Sequence, residues 1–497
     1  MDQANPNVLV IMADQLKANA THLQGSSFCQ TPALARLAAE GVLYENAFTP
    51  HALCVPARVS LWSSQYSRTH GARRNEILMP EGQRHAFRLW REAGYHTGLI
   101  GKNHCFNHDR DLDCFDTWCE ISHVGVPPGA PSKGMPWFRP MEAIRAAHET
   151  RRQQTFRNPK FACAVTDHPL DDYSSGLITG QTERFLEHHG HAPFALWVSF
   201  PDPHEPWDVP RTYYEQIEAE TVEMTPQRED EFSDDRWPER NRVLHEMIGL
   251  RDVPREDVLD LIRIYHAMVR FVDDSVGRIL RKLDELALRE NTIVVFCADH
   301  GDFMGEHGMQ CKGGLFYDSL THVPLIVSCP GRVPEGLRDE SMVSLMDVVP
   351  TVLQLQDIDV PDEMQGVGLP PIVSAPRQDA VFAEYGAGGA PFRGTDLAQL
   401  SQPHGRKALI RSLQWREAAG ERAMIRTQDW KYIHDPMGDT DELYHLANDP
   451  WELDNVVDEP ANSGTVDTLR RRLQHWRETT PEKLPVPMPA PEKYGAV

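Results

Sequence analysis

The chain reads as an α/β protein built on a large, mostly parallel sheet flanked by helices, with a smaller antiparallel sheet towards its end. Three features predict this. Short runs rich in branched residues, at Asn7–Ala13, Phe194–Phe200 and Asn291–Ala298, each run into polar residues. Strands buried on both faces look like this, and open α/β sheets gather ligands at strand C-termini. Helical periodicity separates them, most plainly from Glu256 to Ala287, where Leu261, Ile264, Tyr265, Met268, Phe271 and Val272 begin an apolar stripe. After about Pro376 the pattern becomes short strands broken by turn residues, at Ala423–Arg426, Trp430–His434 and Glu442–Leu446. The expected organisation is a main α/β unit over 1–375 and a C-terminal subdomain over 376–497. The latter adds a helix near Val466–Arg477 and an extended Pro-rich tail from Pro481.

With 497 residues, 40% hydrophobic and 25% charged, the chain has an ordinary globular composition and length enough for one large core with an appendage. A net charge of −23 speaks against nucleic-acid or anionic-membrane partners. It also sets a condition: an anionic substrate needs local positive charge, from a metal ion and a few Lys or Arg side chains. No apolar run approaches the roughly 20 residues of a membrane span. The N-terminal Met1–Pro6 has no basic stretch of the signal-peptide kind. The nine cysteines are odd in number and unpaired in spacing, so they are expected as reduced packing residues in a cytoplasmic protein. Cys114 and Cys119 form the one near pair, and zinc is not expected there.

Taken in order, the first strand delivers Asp14 and Gln15. Thr31-Pro32 opens a helix that Gly41 ends, and Val42–Phe48 is a strand leading to His51–Leu61, the stretch around which the chain is organised. There Cys54 sits at a helix start, because Pro56 presets φ for the first turn and lacks an N–H that would be orphaned. Exposed N–H groups and the helix dipole favour an anion beside Cys54, and Arg58 can point back at it. Asn75 follows in a turn-like segment. A helix near His85–Ala93 precedes a strand ending at Gly101. Beyond it Lys102 and His104, two apart, project to one side of an extended chain. A cation and a titrating base aimed together suit an anion.

Residues 120–160 carry clustered Pro, Gly and aromatic residues and read as an irregular rim over the site, as does 385–420. His188, His189 and His191 fit helix-end cations rather than ligands. Prolines around His204 fix a rigid loop at the end of the Phe194–Phe200 strand. The charged stretch Asp208–Asp252 reads as peripheral, and Asp273 and Asp274, inside the long helix, as solvated or capping. Asp299-His300 closes the third buried strand and complements Asp14. Lys312 follows in a Gly/Met-rich loop before a strand near Val323–Val327, and a helix covers Ser344–Leu355.

These stretches resemble, in order and over nearly the whole chain, the type I sulfatases and the related phosphonate monoester hydrolases of the alkaline phosphatase superfamily. Cys-x-Pro-x-Arg at Cys54–Arg58 is similar to the family's first signature, and Gly101-Lys102 with His104 to its second. The Pro201–His204 loop, the Asp299–Lys312 segment and Asn448–Asn455 resemble later landmarks. The resemblance implies an alkaline-phosphatase-like fold and a division of labour. Cys54 would be oxidised by a maturation enzyme to formylglycine, whose hydrate attacks sulfur to give a covalent sulfo-enzyme. One divalent cation, Mn²⁺ or Ca²⁺, would be held by Asp14, Gln15, Cys54, Asp299 and His300, acting as Lewis acid and template. Arg58 and Lys102 would hold and polarise the sulfate. Asn75, His204 and Lys312 would contact it, the last two assisting the departing oxygen. His104 would take the proton of the second hydroxyl, so that sulfate leaves without attack of water on sulfur.

The function expected is hydrolysis of sulfate monoesters, aryl or small alkyl. Phosphonate monoester or phosphodiester hydrolysis is the alternative, or a side activity. Lys102-x-His104 favours the first, and Asp14-Gln15 with Asp299-His300 the second. A non-catalytic binding protein with unconverted Cys54 is a third reading. The expected partners are a small anionic ester and the formylglycine-generating enzyme, with no nucleic acid and no membrane. A homo-oligomer, dimer or tetramer, is expected, its tail reaching a neighbour.

Overall fold

The computed structural model describes residues 5–123, 125–155, 160–400, 408 and 411–483. Its strands, in chain order, are β1 (Asn7–Asp14), β2 (Val42–Phe48), β3 (His96–Gly101), β4 (Thr117–Glu120), β5 (Ser132–Lys133), β6 (Cys163–Thr166), β7 (Phe194–Pro203), β8 (Trp207–Pro210), β9 (Thr292–Ala298), β10 (Leu325–Ser328), β11 (Leu337–Ser344), β12 (Ala380–Gly389), β13 (Gly420–Thr427), β14 (Trp430–His434) and β15 (Glu442–His445). The expected α/β architecture is present. One sheet runs β11-β2-β10-β9-β1-β7-β3-β4-β5. At its centre β1 is parallel to β7 on one side and β9 on the other, and β3 continues parallel to β7 and β4. Reversals occur at β10, antiparallel to β9 and β2, and at the β5 edge. Every residue of β1 and β9 is buried, which is why these strands show no alternation of polar and apolar residues.

Parallel neighbours need crossovers over a sheet face, and helices supply them. The longest, Arg255–Glu285, packs its apolar stripe against the helices Ser174–His189 and Pro32–Ala39 and against β7 and β8. Asp273 takes the capping role rather than the solvated one, and does so for another helix. Buried, it accepts from the N–H groups of Ala33 at 3.2 Å and Leu34 at 2.9 Å, at the start of Pro32–Ala39, where Thr31 offers no side-chain cap. His189 is not a helix-end cation: it stacks on His96 with centroids 4.1 Å apart, and burial lowers its pKa to about 4.

Two stretches depart from expectation. Residues 120–160 are not irregular throughout, since Met141–Arg152 is a helix that buries Ile144, His148 and Arg151. The Pro and Gly residues lie ahead of it and mark its approach. The stretch Asp208–Asp252 is not peripheral either. Its helix Glu239–Ile248 places Val243, Leu244, Met247 and Ile248 in a core shared with Phe303, Tyr317, Tyr385, Met424 and Tyr444. The charges that made it look exposed are paired: Arg240 with Glu442 and Asp439, while Asn241 donates to Glu442 at 2.9 Å. This helix joins the large sheet to the second one, β12-β13-β14-β15, antiparallel throughout.

The helix Ser463–Thr479 packs on that sheet. Beyond it Glu482 pairs with Arg68 and Arg73 of its own chain at 2.6 Å. The rest of the expected tail, and part of the expected rim (401–407, 409 and 410), lie outside the described residues. All nine cysteines are buried free thiols. No described helix is long and apolar enough to cross a membrane.

Candidate active site

Four neighbouring parallel strands and one helix start converge. β1 ends in Asp14, β9 runs into Asp299, β7 into His204 and β3 into Lys102, while Cys54 is the first residue of the helix Cys54–Ser63. Glycine permits the close approach of β3 to β7. Gly101 has φ +109° and a Cβ there would lie 2.0 Å from the Ser199 carbonyl oxygen, to which Lys102 N–H donates at 2.8 Å. Gln15 (φ 66°) and His104 (φ 56°) take left-handed conformations without being glycine. Such strain persists only where the surroundings enforce it, and it gathers at functional sites.

Asp14, Cys54, Asp299 and His300 are fully buried and bring their ligand atoms within 4.8 Å of one another. His300 Nδ1–H donates to the Gly301 carbonyl at 2.9 Å, which turns Nε2 towards Cys54 Sγ, 3.1 Å away. An imidazole anchored through one nitrogen and open at the other is how metal-binding histidines are oriented. Asp14 Oδ1 lies 3.8 Å from the same sulfur. Two carboxylates and one such imidazole fit a divalent cation. Gln15 reaches the edge of this group, but its carboxamide is engaged elsewhere: Oε1 accepts from Lys312, and Nε2 donates to Asp302 and, at 3.3 Å, to Glu205. Four of the five expected ligands therefore converge, and the fifth faces Lys312.

Arg58 is enclosed by protein partners. Its Nε donates to Asp299 at 2.8 Å and Nη2 to Asp14 at 3.0 Å. Its Nη1 donates to Ser199 Oγ at 3.0 Å and to the Lys102 and Asn103 carbonyls at 2.9 and 3.3 Å. A fully buried guanidinium requires such partners. Arg58 is a clamp that spaces the two carboxylates and pins the Lys102–Asn103 backbone. Lys102 Nζ pairs with Asp14. Burial works against ionised Asp14, yet Lys102, Arg58 and Lys312 hold its carboxyl well below the usual range. Burial and Asp14 likewise push the Cys54 thiol up, but Lys312, His300 and Lys102 outweigh them and lower it.

His204 Nδ1–H donates to the Glu205 carbonyl at 2.6 Å. Burial, with Lys312 and Lys102, keeps the ring neutral, so its Nε2 carries a lone pair. His123, which the sequence reading did not single out, stacks on it with centroids 4.8 Å apart. His104 is held neutral by burial and by Lys102 and Arg58, and its Nδ1 has no partner among the described residues. For Lys312 burial opposes the charge, but Cys54, Asp14 and Glu205 raise its pKa overall.

Asn75 lies beside Cys54 and is tied to the scaffold. Its Oδ1 accepts Val55 N–H at 3.1 Å, its Nδ2 donates to Glu417 Oε1 at 2.7 Å, and its own N–H donates to Glu417 Oε2 at 2.8 Å. It thereby satisfies an orphan N–H in the first helical turn. Glu417 lies on the helix Leu413–Ala418, a regular element within the 385–420 stretch expected to be irregular, and burial pushes its pKa up to about 7. Burial does the same to Asp302, also to about 7. Glu205 and Asp302 could have been sought beside His204 and His300, their neighbours in sequence.

A family model described as Sulfatase matches residues 6–358. Among curated proteins, the chain is similar to the choline-sulfatase of Rhizobium meliloti, 28% identical over 96% of this chain and 88% of that one. It is also similar to the arylsulfatase of Clostridium perfringens, 24% identical over 94% and 93%. Among solved structures, the phosphonate monoester hydrolase of Agrobacterium radiobacter superposes with a TM-score of 0.76 at 25% identity, covering 96% of each chain. With its buried donor cluster at the ends of parallel strands and a cysteine opening the adjoining helix, this chain belongs to the sulfatase family and is a sulfuric ester hydrolase of alkaline-phosphatase-like fold.

Proposed function

We propose that this enzyme hydrolyses sulfate monoesters of phenols and small alcohols, with Cys54, converted to formylglycine, as the attacking residue. Asp14, Asp299 and His300 would hold one divalent cation, Mn²⁺ or Ca²⁺, beside it, with Gln15 at the edge. The observation that carries this reading is the place of Cys54 Sγ: at a helix start, 3.1 Å from His300 Nε2, among buried carboxylates and in the field of the Lys312 and Lys102 ammonium groups. The bound cation would supply Lewis-acid polarisation and charge neutralisation. Lys102 and Lys312 add positive charge around the non-bridging oxygens in a site closed to water. His204, bare at Nε2, takes up a proton there when the substrate anion offsets Lys312, and delivers it to the departing oxygen. His104, neutral, is the base on the nucleophile's side.

A second reading, phosphonate monoester hydrolysis, draws support from Gln15, from Asp299-His300 and from the likeness to the Agrobacterium radiobacter enzyme. The test is kcat/KM for an aryl sulfate and an aryl phosphonate monoester on one preparation, beside Cys54→Ala. The sulfate reading expects the higher value for sulfate and loss of both activities in the variant. A higher value for phosphonate transfers the assignment to the second reading, and an active Cys54→Ala overturns both.

A further inference from the structure

Outside the catalytic cluster, the described residues hold one other convergence of metal-type donors: His85, Asp111 and Cys114, all buried, with ligand atoms within 4.8 Å of one another. His85 is the N-cap of the helix Ala86–Glu92, Asp111 the N-cap of the 3₁₀ turn Leu112–Cys114, and Cys114 that turn's last residue. The His85 side chain is shut off from solvent, and neither of its ring nitrogens has a hydrogen-bond partner among the described residues. Native interiors seldom leave such a group unsatisfied unless an ion or a water completes it. Burial and the nearby Arg88 keep the imidazole neutral, the form that binds metals.

Of the other two donors, Asp111 is held loosely at one oxygen. One Asp111 oxygen accepts the Asn107 N–H at 2.8 Å, while the other faces Arg88 Nη2 at 3.4 Å, long for a charge-assisted bond. The Arg88 side chain is 38% exposed and has solvent to turn to. Cys114 does not pair with Cys119, whose sulfur lies against the Met135 carbonyl and the Gln181 amide. Phe106, two residues past His104, packs its ring 5.0 Å from His85. The cluster thus ties a helix start to the loop that carries Lys102 and His104.

We propose that His85, Asp111 and Cys114 bind a second metal ion, Zn²⁺. Imidazole nitrogen, carboxylate oxygen and thiolate sulfur are zinc's usual donors, and a water completes four-coordination. A hard cation suited to the oxygen-rich catalytic cluster would not select the thiolate, so the two sites sort different metals. Binding displaces the Cys114 thiol proton to solvent and leaves His85 and Asp111 in the protonation states they already hold.

Metal analysis of the purified full-length protein tests this. One zinc per chain is expected in addition to the catalytic cation, lost in His85→Ala and retained in Asp14→Asn. Because His85→Ala could fail to fold, a second measurement uses the intact site. Cobalt is added to chelator-treated Cys54→Ala protein, which removes the catalytic thiol as a ligand. A thiolate-to-cobalt charge-transfer band is expected, absent from the Cys54→Ala/Cys114→Ser double variant. Zinc that is missing from the wild type, together with no Cys114-dependent band, would overturn the proposal and leave the catalytic reading untouched.

Discussion

Arg58 shows how much one residue sets the site. Its guanidinium forks between Asp14 and Asp299 and holds the Lys102 carbonyl, so both carboxylates face the same point. Lysine keeps the charge but not the fork. Arg58→Lys is expected to lower kcat and metal affinity by about 10- to 100-fold, the usual loss when an outer-shell partner of a metal ligand is removed. Activity measured against metal concentration checks it. Glu417 yields a pH prediction. Burial raises its pKa from 4.5 to about 7. Between those values the unfolded chain has released the proton that the native state keeps, so stability falls as pH rises through that window. Glu417→Gln is expected to remove a loss of about 3 kcal/mol, visible as a Tm that gains on wild type from pH 5 to 8. Parallel Tm profiles would contradict it. Cys54, Asp14, Asp299, Lys102 and His204 were legible because each ends a recognisable strand or opens a helix. Glu417 and His123 were not, since their roles come from tertiary contacts, Glu417 on the helix Leu413–Ala418 with Asn75 and His123 with His204.

At the scale of elements, the site depends on how strand ends are allowed to meet. Gly101→Ala would place a methyl group 2.0 Å from the Ser199 carbonyl oxygen at φ +109°. The expected cost is about 2–4 kcal/mol by denaturant titration, with kcat falling because Lys102 moves with the strand end. Asn75→Ala removes the acceptor for Val55 N–H and should leave the fold standing, with a loss of about 1 kcal/mol typical of a cap and a clear fall in kcat. β1, β7 and β9 were readable as unbroken apolar runs. The helix Glu239–Ile248 was not, because Arg240 and Asn241 are buried against Glu442, a partner that local sequence cannot reveal.

For the whole molecule, the two sheets share a core and charged pairs, so they should unfold together. Lys431 on β14 is fully buried and lies 2.5 Å from both Asp318, the first residue of the short helix Asp318–Thr321 before β10, and Glu452. Removing it leaves two carboxylates facing each other in the interior. Lys431→Met is expected to destabilise the protein by about 3–5 kcal/mol in a single transition by calorimetry; two separated transitions would show independent units. The net charge of −23 makes the local arrangement of Arg58, Lys102 and Lys312 the condition for admitting an anion at all. Composition states that condition, and the structure brings cations to the cluster from the end of β3, from the helix Cys54–Ser63 and from the loop after β9. The most direct measurement is the mass of the Cys54 peptide set against specific activity, in protein made with and without a formylglycine-generating enzyme. Sulfatase activity that rises in proportion to the aldehyde fraction is the predicted result, and full activity from a peptide that is entirely thiol would contradict it.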